Sequence, residues 1–493
     1  MRRLYQTVVL PLSAFILLAG CAAVGPDYSQ PSLPASRLPG SFGAPPAGLG
    51  SGAVEVQWWR TLDEPALTTL IERALAANHD IGIAAVRLEE AKAMLRESRQ
   101  GFVPRGGPAL SYENRRGSKV EMPPGQPRQS ETYRGAVDAS WEIDLFGRVR
   151  RSVEAARAQA GSREALLRDV QAGVAGEVAA TWFELRGLDA ELAVVADISQ
   201  SQRESLGMVE RLLSADSATE FDRLRAEALL RNVEATAPDL ERRRAASSNA
   251  LAILMGETPQ TFRLPAAMPE REVLAVRSIA VGDPVGLLSR RADIAAAERN
   301  LAAATAQIGV ETAGLYPEVQ VQGSIGLVAG SLDALGDAGM QSSFIGPVIR
   351  WNLLDTGRVR AQIAASESRS QEALLVYDQT VLRALQETDD AFNAHGAAGS
   401  TLGLRLLESA ANREAARLAR VRFSEGEGVY LDVLEAERSD FASRRALTVA
   451  RTNQRLAVVS IYKALGGGWE MCTQVDQDCG GAKGIGNLPI AKK

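Results

Sequence analysis

Little in this chain suits metal or redox chemistry. Only two histidines and three cysteines occur in 493 residues, and His79 and His395 each stand alone in a helical pattern. There is no HExxH, no GxSxG, no paired CxxC and no glycine-rich phosphate loop ahead of a helix. Carboxylates are plentiful, but none forms a pair that reads as buried. No catalytic residue, metal site or cofactor is therefore expected, and the chain reads as something other than an enzyme. Aromatics make up 5% of the residues, a mixture that favours long helices with little bulky core. A formal net charge of −5 gives no reason to expect nucleic acid. Beyond the N-terminus no run approaches the roughly 18 apolar residues of a transmembrane helix, so the chain crosses a lipid core by strands or not at all. Proline is missing from two long stretches, Gly147 to Pro238 and Gly357 to Pro489.

The N-terminus has a different composition. Arg2 and Arg3 precede an apolar stretch from Val8 to Leu18, and "LAGC" (Leu18–Cys21) follows. That order is a bacterial export signal over 1–20. Its end resembles a lipobox, which implies cleavage before Cys21, lipidation there, and, with Ala22 following, delivery to the outer membrane. Lipid anchors a chain without making it span. Residues 21–60 are rich in Pro, Gly and Ser and read as an extended tether. Near the other end Cys472 and Cys479 flank "TQVDQD"; a local disulfide and two free thiols both stay open, and two cysteines are too few ligands for a metal.

Between these ends the period of the hydrophobic pattern alternates between two values. "TYRGAVDASWEIDL" places Tyr133, Val137, Trp141 and Ile143 on one face and Arg134, Asp138, Glu142 and Asp144 on the other, the alternation of a strand with one apolar and one wet side. Strands are expected at about 109–117 and 132–145, then at 317–328 and 342–354, where Pro347 suggests a bulge or an interrupted ladder. Long helices are expected at 148–213 and 219–255, and again at 358–423 and 431–465. The pattern divides the chain into a first repeat, 61–262, a linker, 263–285, a second repeat, 286–468, and a flexible tail, 469–493.

The two repeats are copies. "WEIDLFGRVR" (141–150) returns as "WNLLDTGRVR" (351–360), an offset of 210 that also joins Asp222, Glu227 and Gly256 to Asp432, Glu437 and Gly466. Asp80, Leu88 and Pro104 match Asp293, Leu301 and Pro317 at an offset of 213. A register held over a whole unit indicates duplication. Each half then supplies one β-hairpin. Four strands cannot close a membrane barrel, and an open edge is intolerable in hydrocarbon; a membrane role requires several chains to share one barrel.

At this point the sequence resembles the outer membrane factor (TolC-like) family, in the lipoprotein branch of efflux ducts (NodT type). The residues that carry the resemblance are the lipobox at Cys21, "DIAAAERNLAAATAQIGVETAGLYPEVQVQGSIG" (293–326), "LLDTGRVRAQIAAS" (353–366), "RFSEGEGVYLDVLEAER" (422–438) and "ALGGGW" (464–469). Two departures stand out: Ala292 where the family usually has proline, and a first turn, "SADSATEFD" (214–222), without the usual glycine. The resemblance implies a mainly α protein with a membrane β part. It implies a homotrimer whose four strands per chain complete a twelve-stranded β-barrel, continued by a periplasmic α-helical barrel. The implied role is the outer-membrane exit duct of a tripartite efflux system. Small toxic compounds would pass passively from an inner-membrane pump of the resistance-nodulation-division type, through a periplasmic adaptor, to the outside. A duct for type I protein secretion and a lipid-tethered coiled-coil scaffold without a pore are the alternatives.

By the same resemblance the turns at 213–220 and 424–431 form the periplasmic tip, with Ser214, Ala215, Ser217, Ser424, Gly426 and Val429 at the adaptor-docking surface. Asp432 and Glu435 match the acids of the constriction, with Asp222 at the repeat-equivalent place, and Arg211 and Arg422 stand where they would pair with them. On the residues alone, Asp432 reads as a helix cap and Glu435 as a solvated surface charge.

Overall fold

The computed structural model describes residues 23–31, 49–50, 55–265 apart from 119, 122, 124 and 126, 279–281, and 284–467. The expected signal peptide, the expected lipidation site Cys21, the cysteines Cys472 and Cys479, the 469–493 tail and most of the 263–285 linker lie outside them. The described residues form a mainly helical chain with one four-stranded antiparallel sheet. They divide into two compact units.

The first unit comprises residues 23–31, 86–164 and 296–379. Its sheet holds β1 (Arg105–Arg116), β2 (Gln129–Ile143), β3 (Glu318–Ala329) and β4 (Gln341–Arg350), paired in that order. The register puts Asp138 beside Ser324, Trp141 beside Val321 and Tyr112 beside Tyr133. Leu110, Tyr112, Tyr133, Val137, Trp141, Val319, Val321, Ile325, Ile345 and Ile349 therefore share one face, and Ser111, Arg134, Asp138, Ser140, Glu142, Gln320, Gln322 and Ser324 share the other. The apolar face is bare: Leu110 is 87% and Ile345 81% exposed. Pro347 produces no bulge, contrary to expectation. The ladder stays in register through its pairing with Val321, because β4 is an outer strand whose missing N–H can face away from its partner.

The strand ends also differ from the pattern. β2 stops at Ile143 because Asp144 turns its carboxylate onto the next element, where it accepts 3.0 Å bonds from the N–H groups of Val149 and Arg150. Those are orphan donors of a helix start. β4 stops at Arg350, and a single helical turn at Leu353–Asp355 follows.

The second unit comprises the described residues of 33–85, 165–295 and 380–467. It contains the main core. Trp58, Trp59, Trp182 and Phe183 are buried with Leu67, Leu70, Ile71, Leu251, Ile461 and Tyr462, and Trp58 stacks on Tyr462 at 5.0 Å. Each such aliphatic side chain contributes about 1.5–3 kcal/mol by leaving water. Helices α1 (Pro65–Ala77) and α2 (His79–Arg99) open the chain, with proline in the first turn of α1.

Helix α3 (Arg148–Ser214) runs 67 residues without a proline, about 100 Å. The single helix expected over 219–255 is instead two, α4 (Glu220–Glu234) and α5 (Ala237–Leu254). Pro238 causes the break. It has no N–H for the Glu234 carbonyl, and its ring crowds that carbonyl, so α4 ends and Pro238 sits in the first turn of α5. The second repeat follows as α6 (Pro284–Arg290), α7 (Ala292–Ala313), α8 (Thr356–Ser424) and α9 (Tyr430–Ala464). With no proline in the way, α9 continues unbroken for 35 residues.

Candidate functional site

The acids that the sequence singles out lie at two helix–turn–helix junctions of the second unit. Both turns have the same backbone construction. At the end of α3, Asp216 N–H bonds to Leu213 O at 3.1 Å and Ser217 N–H to Leu212 O at 2.8 Å; at the end of α8, Gly426 N–H bonds to Phe423 O at 3.1 Å and Glu427 N–H to Arg422 O at 2.9 Å. Each closes the carbonyl end of its helix. The hydroxyls of Ser214 and Ser424 donate to the carbonyls three residues back, Arg211 and Val421. The residue that must turn left-handed is Gly426 in the second turn, with φ 79°, and Asp216 in the first, with φ 53°. Aspartate is among the few side chains that tolerate this region, which accounts for the missing glycine. Ser217 donates to Ala215 O at 3.2 Å.

The two succeeding helix starts are unlike. Thr219 caps α4, accepting from Asp222 N–H at 3.2 Å, while the Asp222 carboxylate accepts the Thr219 N–H at 3.0 Å and its hydroxyl at 2.6 Å. This is a reciprocal capping box. It engages the Asp222 carboxylate with Thr219 at the start of its own helix, a structural role beside the one expected of it. Val429 holds the equivalent place before α9 and has no side-chain oxygen to offer. Asp432 therefore does not cap. Its carboxylate and that of Glu435 are exposed and take no hydrogen bond or ion pair among the described residues.

Among the described residues the tip arginines do not pair with these acids. Arg422 donates to the Glu427 carbonyl at 3.3 Å, and Arg211 has no acidic partner among the described residues. The paired arginine is another one: Arg223 binds Glu220 and Glu227, holding the Glu220 carboxyl below its usual range.

Sequence reasoning missed the buried acids behind the second turn. Glu437, 2% exposed, accepts from Gln202 at 2.9 Å, Ser205 at 2.8 Å and Arg420 at 2.8 Å. One carboxylate thus ties α3, α8 and α9 together. Asp440, one turn on, is buried beside Arg444 at 3.9 Å, and burial pushes its carboxyl up despite Arg444, Arg413 and Arg420. Tyr430 packs on Phe423 at 5.3 Å, its phenol pushed up by burial and then by Glu437 and Asp222. The available clue was position. Tyr430, Val433, Leu434, Glu437 and Phe441 follow an apolar stripe at helical spacing, and an acid in such a stripe needs partners.

No helix among the described residues is long and apolar enough to cross a membrane, and no group of three or more histidines, cysteines and carboxylates among them is placed to hold a metal ion. The bare apolar face of the sheet is a surface of the first unit patterned for lipid.

The sequence pattern of the family described as "Outer membrane efflux protein" matches residues 70–257 and 284–467, one stretch in each repeat. The chain belongs to that family. It is 31% identical over 470 residues to the solvent efflux pump outer membrane protein SrpC of Pseudomonas putida, covering 94% of this chain and 98% of that protein. It is 28% identical over 469 residues to the cation efflux system protein CusC of Escherichia coli, covering 94% and 99%. Among solved structures, the outer-membrane channel OprN is similar with a TM-score of 0.85 and 32% identity, covering 91% of this chain and all of that one; CusC gives 0.81 and 25%, with 91% and 100% covered. The protein is thus an outer-membrane efflux channel of TolC-like fold, and the family is one of channels rather than enzymes.

Proposed function

We propose that this channel is the exit duct of a tripartite pump that carries small toxic compounds. The duct is a homotrimer anchored by lipid at Cys21, and it meets a periplasmic adaptor fed by an inner-membrane pump of the resistance-nodulation-division type. The observation that carries this reading is the sheet. Its apolar face is bare, its opposite face is polar on β1 to β3 with Phe344 and Val348 as apolar positions on β4, and its outer strands β1 and β4 have no further partner among the described residues. Three copies joined edge to edge make a closed twelve-stranded barrel with no exposed ladder. On β2, Tyr133 and Trp141 bracket an apolar band about 26 Å long along the strand, about 20 Å of height at the tilt of membrane-barrel strands, somewhat less than the apolar belt between aromatic girdles. Inside, Arg134 is paired with Asp138 and bonded to Ser324, so charges along the polar face compensate each other and suit a water-filled lumen.

The gate lies at the second tip turn. Asp432 and Glu435, exposed and unbound among the described residues, become two acidic rings under threefold symmetry and narrow the passage to cations. Ser214, Ala215, Ser217, Ser424, Gly426 and Val429 on the two turns supply the surface for the adaptor. Small toxic compounds are the favoured cargo because the similar proteins include components of solvent and cation efflux systems.

Reconstitution into planar bilayers tests the reading. Stepwise conductance and a trimer in detergent are expected. A chain that inserts no conductance and migrates as a monomer contradicts it and returns the scaffold.

A further inference from the structure

The first unit holds a buried arginine that neither the barrel nor the gate requires. Arg151, 4% exposed, donates to Val24 O at 3.1 Å, Gly25 O at 3.2 Å, the Asp27 carboxylate at 2.6 Å and the Glu154 carboxylate at 2.9 Å. Three of these four acceptors belong to residues 24–27. Without that segment a buried guanidinium would keep a single partner, an arrangement proteins avoid. The segment is held at other points too. Val24 N–H donates to Phe146 O at 3.0 Å, and the Tyr28 hydroxyl bonds to Glu298, itself 5% exposed.

Three glycines form the cradle. A Cβ on Gly147 would lie 2.4 Å from that of Ala23; one on Gly25 would lie 2.4 Å from the Cα of Gly309; one on Gly309 would lie 2.8 Å from Val24 O. Any side chain at these places expels the segment. Gly147 and Gly25 also have φ of 85° and 87°, which glycine alone adopts freely.

The duplication shows that these features are specific. At the offset of 210, Gly147–Arg151 corresponds to Gly357–Ala361, so the arginine is lost in the second copy. At the offset of 213, Glu298 and Gly309 correspond to Ala85 and Arg96. The cradle is built once, at the junction where the N-terminal segment lies.

We propose that Arg151, Glu298, Gly147 and Gly309 form an intramolecular binding site for residues 23–28. This site, rather than the lipid, holds the start of the mature chain at the strand-to-helix junction. Covalent geometry alone keeps residue 21 within about 7 Å of Ala23. On the membrane reading above, the site thereby sets the depth of the acyl chains at the periplasmic rim of the barrel.

Hydrogen exchange on the full-length protein in lipid vesicles tests this. Arg151→Ala and Gly309→Ala are expected to speed exchange of the Val24 amide, which donates to Phe146 O, by about tenfold or more while the β2 amides stay protected. Cys21→Ser, which removes the lipid, is expected to leave that amide protected. If Arg151→Ala also loosens β2, the substitutions within the segment, Asp27→Ala and Tyr28→Phe, decide, since they remove its contacts and leave the sheet untouched. Unchanged exchange in the variants that keep β2 protected, or loss of protection in Cys21→Ser alone, overturns the proposal. Wild-type conductance is read on the same vesicles, so a silent channel with a protected Val24 amide contradicts the duct reading and leaves this one standing.

Discussion

The two tip turns share a backbone and differ in the helices they lead into. In the first, Thr219 and Asp222 satisfy each other in a capping box, and α4 then shows Leu224 to solvent, 50% exposed. In the second, Val429 cannot cap, Asp432 stays free, and Leu434, the equivalent of Leu224, is 6% exposed. Duplication supplied one turn twice. One copy uses its acid for helix stability, and the other leaves it unbound over a buried network. An aspartate at the same repeat position is therefore structural in one half and available for function in the other.

The sharpest way to break this comparison is to remove the network. Glu437→Ala strands Arg420, Gln202 and Ser205 and is expected to cost about 2–4 kcal/mol. Glu227→Ala, at the repeat-equivalent and partly exposed pair with Arg223, is expected to cost about 0.5 kcal/mol or less. Thermal or denaturant unfolding compares the two, and equal losses would contradict the asymmetry. Asp440 gives a pH signature of the same region. Its folded carboxyl is raised above the ordinary 3.8, so its contribution favours the folded state below that value and is lost as pH rises through the folded one. Asp440→Asn is expected to stabilise the neutral protein and to have no effect in acid; equal effects at both would refute the burial argument.

Smaller changes sharpen the backbone half of the comparison. Gly426→Ala forces a Cβ into the left-handed region and is expected to cost about 1 kcal/mol, whereas Asp216→Gly is expected to change stability by about 0.5 kcal/mol or less. Val429→Thr converts the second turn into the first. A capping box adds about 0.5–1 kcal/mol and ties up the Asp432 carboxylate, so on the gate proposed above a gain in melting temperature should accompany a change in conductance.

The strands, the duplication and the long proline-free helices were legible because they depend on periodicity and spacing, properties of the chain alone. The break at Pro238 was equally readable, since proline acts on its own backbone; the pattern around it looked helical on both sides and masked it. Asp216 in a glycine's place and the occupation of Asp222 were not readable, because a carboxylate at the third helical position caps or stays free according to the residue three places earlier. Arg151 is the plainest case. "GRVRR" reads as a helix start, and only the return of residues 24–28 from over a hundred positions away gives its last arginine a purpose.

The most direct measurement is single-channel conductance in planar bilayers for Asp432→Ala/Glu435→Ala beside Asp222→Ala. The first is expected to raise conductance or weaken block by multivalent cations, while the second leaves both unchanged and lowers only stability. An unchanged channel in the first, or an equal response in the second, would contradict the claim that the duplicated turns have divided gating from structure.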